Sequence, residues 1–179
     1  MKATGIVRRM DDLGRVVIPK EIRRAARIRE GDSIEIYINK KGDIILKKYS
    51  PLKELGISAA QYADVLYKAS RYPVVVCDRD HVIAVAGIPK KELLGRRISA
   101  ALDDSMGQCM AFNVGMGNNK IRPFEGDARY MLAGALIIAD NDVCGSIMLV
   151  GDNASVIVGE AEVKLLETAA AFLGKQMEE

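Results

Sequence analysis

The sequence predicts an α+β protein in two modules, a small basic one over residues 1–50 and a larger mixed one over 51–179. Three observations carry that expectation. The first is charge: residues 1–50 hold 13 Lys/Arg against 7 Asp/Glu, giving +6, and 51–179 hold the other 13 basic residues of 26 against the other 17 acidic ones of 24, giving −4. The second is a run of short strand-period segments around one basic helix in the first fifty residues. The third is a pair of helix-period stripes bracketing four apolar strand segments in the remainder.

Taken in order, Thr4-Gly-Ile-Val-Arg-Arg-Met10 reads as a strand and Asp11-Asp-Leu-Gly14 as its turn, because Gly14 can take positive φ at little cost. Val16-Val-Ile18 is a second strand. Pro19 opens the helix Lys20-Glu-Ile-Arg-Arg-Ala-Ala26, where its missing N–H does no damage. After the turn Glu30-Gly-Asp32, Ile34, Ile36 and Ile38 alternate with Glu35, Tyr37 and Asn39, the period of a half-buried strand. Lys40-Lys-Gly-Asp43 then turns the chain into Ile44-Ile-Leu-Lys-Lys48, completing a hairpin. Fifty residues in this order bury too little apolar surface to be comfortably stable alone, so the module is expected to gain its core from a second copy.

Tyr49-Ser-Pro51 breaks the pattern and places the junction at 49–52. Residues 52–71 read as one helix with the stripe Leu52, Leu55, Ala59, Tyr62, Leu66 and Ala69, and roughly 159–178 as another with Val163, Leu166, Ala170, Leu173 and Met177. Each stripe spans two to three heptads, so its residues either pack on their own sheet or join an intersubunit bundle. Between them, Pro73–Asp78, His81–Ala86, Ala133–Ala139 and Gly145–Val150 are strands, with short helices near Lys90–Leu94 and Ser99–Gln108.

The composition, 49% hydrophobic and 28% charged without a low-complexity tract, is that of a globular chain. No apolar run approaches the ~18 residues of a membrane span, and the N-terminus lacks a secretory core, so no membrane partner and a cytoplasmic location are expected. Cys77, Cys109 and Cys144 are unpaired by spacing, which suits reduced, mostly buried thiols. His81 is the single histidine, and no nucleophile accompanies it in sequence. The cysteines and this histidine lack zinc-type spacing. Gly115-Met-Gly-Asn-Asn-Lys120 lacks the Walker spacing and reads as a loop. No enzyme activity, metal or cofactor is therefore expected.

The basic module is rich in arginine, with Lys2, Arg8, Arg9, Arg15, Lys20, Arg23, Arg24, Arg27 and Arg29 all within its first thirty residues. A planar guanidinium bonds phosphates or the guanine edge in a two-pronged way, whereas lysine acts as a point charge. Double-stranded DNA is the expected partner of such a charge footprint.

These residues carry a resemblance. The run from Met1 to Arg24, including the specific Gly14-Arg-Val-Val-Ile-Pro19, with Glu30-Gly-Asp-Ser-Ile-Glu-Ile-Tyr37 and Ile44-Ile-Leu-Lys-Lys-Tyr49, resembles the AbrB-type swapped-hairpin transition-state regulators. The resemblance implies an AbrB/MazE-like β-barrel formed by two chains, hence a homodimer through residues 1–50. It further implies that Arg8, Arg15, Arg23 and Arg24 contact DNA and that Arg9 stands at a basic position of the family, with Arg27 and Arg29 less closely tied to that set. Residues 51–179 look like a GAF-type domain, an antiparallel sheet with flanking helices. The two together resemble a family of sporulation regulators of spore-forming bacteria, through Tyr49-Ser-Pro51, Tyr62-Ala-Asp-Val-Leu-Tyr67 and Glu167–Met177. That implies a nucleoid-associated transcriptional activator and/or repressor of sporulation genes, assembled as a homotetramer through GAF-like helices. The second domain would also report a small-molecule effector if segment 103–130, with Met106, Met110, Phe112 and Met116, lines a pocket. The alternative is that these residues cover the core as gap-fillers. The runner-up function is a swapped-hairpin antitoxin that neutralises a toxin partner. Such proteins end in a short flexible tail, whereas this chain continues with a packed-domain pattern.

Overall fold

The first structured feature among the described residues is a tight turn rather than a strand. In the computed structural model, which describes residues 4–108 and 121–178, Asp11 N–H donates to the Arg15 carbonyl at 3.0 Å and Gly14 N–H to the Asp11 carbonyl at 3.1 Å. Gly14 adopts φ 76°, which only glycine takes cheaply. Contacts divide the chain into two units, Met1–Tyr49 and Ser50–Glu179.

In the first unit the expected strands over Thr4–Met10 and Val16–Ile18 are absent; neither segment forms regular secondary structure. A strand exists only through its ladder, and among the described residues of this unit the one ladder joins β1 (Ile34–Ile38) to β2 (Ile44–Lys48). The helix is found as expected: α1 (Lys20–Ala25) follows Pro19. Its end carries a pair of closing bonds, Arg27 N–H to the Arg24 carbonyl at 3.2 Å and Ile28 N–H to the Arg23 carbonyl at 2.7 Å, with Arg27 left-handed at φ 52°. The β1–β2 hairpin turns through Asn39, whose Oδ1 accepts the N–H groups of Lys41 and Asp43 at 2.9 and 3.0 Å. In its register Ile36 faces Leu46 and Ile38 faces Ile44. These four form an apolar face that is 45–75% exposed, so the expected half-buried strand is open in the single chain. On the opposite face Lys47 lies over the Tyr37 ring at 4.6 Å.

The second unit is built on an antiparallel four-stranded sheet of order β4-β3-β6-β5, with β3 (Val74–Asp78), β4 (Val82–Ala86), β5 (Tyr130–Ala139) and β6 (Asp142–Gly151). Both faces are covered, which explains why Val74-Val-Val-Cys77 is apolar without a gap. Val74, Val76, Ile147 and Leu149 enter one core with α3 (Gly56–Ser70) and α6 (Glu160–Lys175). Val75, Cys77, Met148 and Val150 enter the other with Leu93 of α4 (Lys90–Leu93) and Leu102 and Met106 of α5 (Ala100–Gly107). Phe124 and Ile98 close that second core.

The single helix expected over 52–71 is broken. A short α2 (Pro51–Glu54) precedes α3, and Leu55 separates them at φ −80°, ψ 14°. Gly56 is a weak helix former, and the break lets Leu52 become fully buried. The buried stripe of α3 is Ala59, Ala63, Leu66 and Ser70, with Tyr62 half-buried and stacked on Phe172 of α6 at 5.0 Å. Leu52, Ala59 and Leu66 of the first helical stripe and Leu166, Ala170 and Leu173 of the second pack into the core on their own sheet, while Ala69 is exposed.

Candidate nucleic-acid interface

The first unit presents its arginines on three local structures. Arg8 and Arg9 lie in the segment before the Asp11–Arg15 turn, Arg15 closes that turn, and Arg23 and Arg24 occupy the last turn of α1. All five are exposed, and no residue of α1 is buried. The helix is short because the sequence allows no more: Pro19 fixes its start, and Arg27 leaves the helical region six residues after Glu21. The two closing bonds consume the main-chain carbonyls of Arg23 and Arg24 and leave their side chains in solvent.

Arg27 and Arg29 differ, being half-buried. Around them Lys48 Nζ pairs with the Asp32 carboxylate at 3.0 Å and donates to the Arg27 carbonyl at 3.4 Å, and Arg29 N–H donates to Asp32 Oδ2 at 2.7 Å. These bonds hold the 27–32 turn onto β2. Lys2 lies outside the described residues.

Two constellations were not anticipated from the sequence. Asp11 is one: its Oδ1 accepts the main-chain N–H groups of Leu13 and Arg15 at 3.1 and 2.7 Å, and its Oδ2 accepts Arg15 Nε–H at 2.7 Å. The main-chain bond from Arg15, followed by its guanidinium, holds the Asp11 carboxyl below the usual carboxylate range. The signal was present, an aspartate four residues before an arginine across a glycine turn. The other lies in the second unit, where Arg129 gathers Glu92 at 2.6 Å, Asp127 at 2.7 Å and Asp152 at 3.9 Å. No local pattern announces it, since Glu92 is 37 residues away.

Burial pushes the Cys77 thiol up to about 12, and its Sγ lies 3.2 Å from Ser146 Oγ. Cys144 is half-buried and also raised by burial. Both are thiols at neutral pH, and thiols are poor nucleophiles and ligands. His81 is half-buried at the β3–β4 turn, where its main-chain N–H donates to Asp78 Oδ1 at 2.6 Å. Among the described residues no group of three or more His, Cys, Asp and Glu could hold a metal. Met106 is fully buried in the second core, as the gap-filling alternative has it. Cys109, Met110, Phe112, Met116 and the Gly115–Lys120 loop lie outside the described residues. Among the described residues no helix is long and apolar enough to cross a membrane.

Comparisons with known proteins cover both units. The family described as Stage V sporulation protein T C-terminal, transcription factor matches residues 54–178. A second, described as antidote-toxin recognition MazE, bacterial antitoxin, matches residues 7–54. Stage V sporulation protein T of Bacillus subtilis (strain 168) is 46% identical over 181 aligned residues, covering all of both chains. The transition state regulatory protein AbrB of the same organism is 61% identical over 51 residues, 28% of this chain and 52% of that one. The GAF domain of an Acinetobacter phosphoenolpyruvate-protein phosphotransferase shares the fold of the second unit at 14% identity, with a TM-score of 0.51 over 73% of this chain and 83% of that one.

Proposed function

The chain belongs to the stage V sporulation protein T family, and from that premise we propose how its residues serve a sporulation transcription factor with an AbrB-like DNA-binding domain and a GAF-like domain. Residues 1–50 bind double-stranded DNA. Arg8, Arg15, Arg23 and Arg24 grip the duplex, and Arg9 assists. The observation that carries this assignment is that all five arginines stand exposed on a module of charge +6. Half-buried Arg27 and Arg29 shape the turn behind α1 and raise the background field.

The same module dimerises. Its apolar face of Ile36, Ile38, Ile44 and Leu46, together with Val7 at 84% and Val17 at 74% exposure, is too large to leave in water. A second copy interleaving its 4–10 and 16–18 segments would supply the missing ladder and core, forming one barrel from two chains. Residues 51–179 then join two such dimers into a tetramer through the outer flanks of α3 and α6, where Val65 and Phe172 remain 61% and 43% exposed. A small-molecule effector on this domain is a further part of the reading. The protein acts as a regulator rather than an enzyme, in the cytoplasm and on the nucleoid, as activator and/or repressor.

The antitoxin reading draws on the MazE-type match over residues 7–54. It is the weaker one, because residues 50–179 form a two-cored domain rather than a tail that wraps a toxin.

The deciding experiment is DNA binding by the Arg23→Ala/Arg24→Ala chain across a salt series. Four phosphate-facing cations are lost per dimer, so affinity falls and the slope of log K on log salt becomes shallower by roughly two to four. Unchanged affinity and slope would remove α1 from the interface.

A further inference from the structure

We propose that Asp11 is a positioning residue for DNA recognition, its carboxylate bracing Arg15 so that the guanidinium meets DNA already oriented. The inference rests on the reading above that Arg15 contacts DNA.

The pair lies at the surface, but its geometry is that of a brace, because the carboxylate that meets the Arg15 guanidinium also holds the main chain of the turn. One oxygen of Asp11 holds the main chain of the turn, accepting Leu13 N–H at 3.1 Å and Arg15 N–H at 2.7 Å, and the other accepts Arg15 Nε–H at 2.7 Å. The main chain returns the contact, with Asp11 N–H donating to the Arg15 carbonyl at 3.0 Å. Backbone and side chain of Arg15 are thus tied to one carboxylate. The bond uses Nε, and among the described residues the two Nη groups of Arg15 have no protein partner while its side chain is 71% exposed. Those Nη groups carry the parallel donors that read a phosphate or the O6/N7 edge of guanine. Fixing Nε therefore restricts the side-chain torsions without occupying the recognising edge, and a preoriented side chain loses less freedom on binding.

The charge of Asp11 has the wrong sign for a DNA-facing surface. Beside a polyanion it repels phosphate, so its place among Arg8, Arg9 and Arg15 is not explained by affinity. It is explained by orientation. Because the bonds from Arg15 hold its carboxyl below the usual carboxylate range, the brace is charged at neutral pH.

This opposition of signs makes a clean test. Asp11→Asn keeps an oxygen for the Leu13 and Arg15 main-chain N–H groups and removes the acceptor for Arg15 Nε–H, turning Nδ2 toward it instead. It also removes one negative charge per chain. A purely electrostatic residue would then show tighter binding to every duplex. A positioning residue shows undiminished binding to a scrambled duplex and a loss of discrimination, by about tenfold, in favour of a duplex enriched from random sequence by the unmodified full-length chain. The measurement is fluorescence anisotropy on both duplexes for Asp11→Asn, Arg15→Ala and the double variant. Discrimination by the double variant is expected to equal that of Arg15→Ala, since Asp11 acts through Arg15. In the DNA-free protein the Arg15 Nε–H signal in the nitrogen–proton NMR spectrum is expected to be shifted and slow to exchange, and to collapse to the free-arginine position in Asp11→Asn. That readout is taken below the melting midpoint of each variant and holds even if the substitution lowers the midpoint. Should Arg15→Ala leave both affinity and discrimination unchanged, the DNA role of Arg15 falls and the proposal with it; should it weaken both duplexes equally, Arg15 meets phosphate only and the role of Asp11 in discrimination is overturned. Should Arg15→Ala lose discrimination while Asp11→Asn keeps it, or the two losses add, the proposal alone is overturned.

Discussion

Gly174 shows how tertiary contact can invert a residue's intrinsic preference. It sits in the last turn of α6, where helix propensity alone favours alanine by about 1 kcal/mol. The structure reverses that sign, because a Cβ built at Gly174 would collide with the main-chain carbonyl of Ile138 on β5, and backbone cannot swing aside. Gly174→Ala is therefore expected to destabilise the second unit by about 1–3 kcal/mol, seen as a lower midpoint in denaturant unfolding. Asp11 and Arg15 make the same point from the other direction, since both residue types were legible and their shared geometry was not. The five arginines were readable as candidates because charge and family pattern need no coordinates, and the burial of Arg27 and Arg29 that sets them apart needed a fold.

At the scale of elements, the periodic signals located segments well and assigned their partners poorly. Four strands and the two long helices of the second unit follow directly from runs such as Val74-Val-Val-Cys77 and from the 3.6-residue repeat. The face each helix buries was less legible: α3 turns Ala63 and Ser70 inward and leaves Ala69 exposed, because an ideal helix drifts from a strict heptad stripe. How α3 ends also escaped local reading. Arg71 follows it at φ 65° with its N–H bonded to the Tyr67 carbonyl at 2.8 Å. That left-handed position suits glycine, and a side chain there is strained. Arg71→Gly is expected to raise stability by up to about 1 kcal/mol, measured as a higher melting temperature with no change in DNA binding.

For the whole molecule, the decisive contrast is between a unit with two filled cores and a unit with an open apolar face. Among the described residues of 50–179, Phe124, Ile147 and Leu173 are buried in closed cores, whereas in residues 4–49 Ile36 and Ile38 are 66% and 75% exposed. If the first unit completes its core with a second copy and the second unit joins dimers, Ile36→Glu/Ile38→Glu is expected to convert a tetramer into a dimer held by the GAF-like domains. DNA affinity falls with it, as the paired basic surfaces come apart. Sedimentation velocity on the full chain checks this, and an unchanged tetramer would place the dimer contact elsewhere.

The sequence by itself determined the division of charge, the order and type of most elements, and the family. Each is written in composition, in local period or in a contiguous motif, and survives without knowledge of what lies across the fold. Only the tertiary structure decided that Asp11 holds Arg15, that Arg129 collects Glu92 and Asp127, that Gly174 must remain small, and that Met106 belongs to a core. Those facts depend on groups brought together by packing or by a turn's exact path, which no residue's own propensity encodes. The segments 4–10 and 16–18 mark the boundary between the two: their residues read as strands, yet a strand's hydrogen bonds need a partner, and a single chain does not provide one.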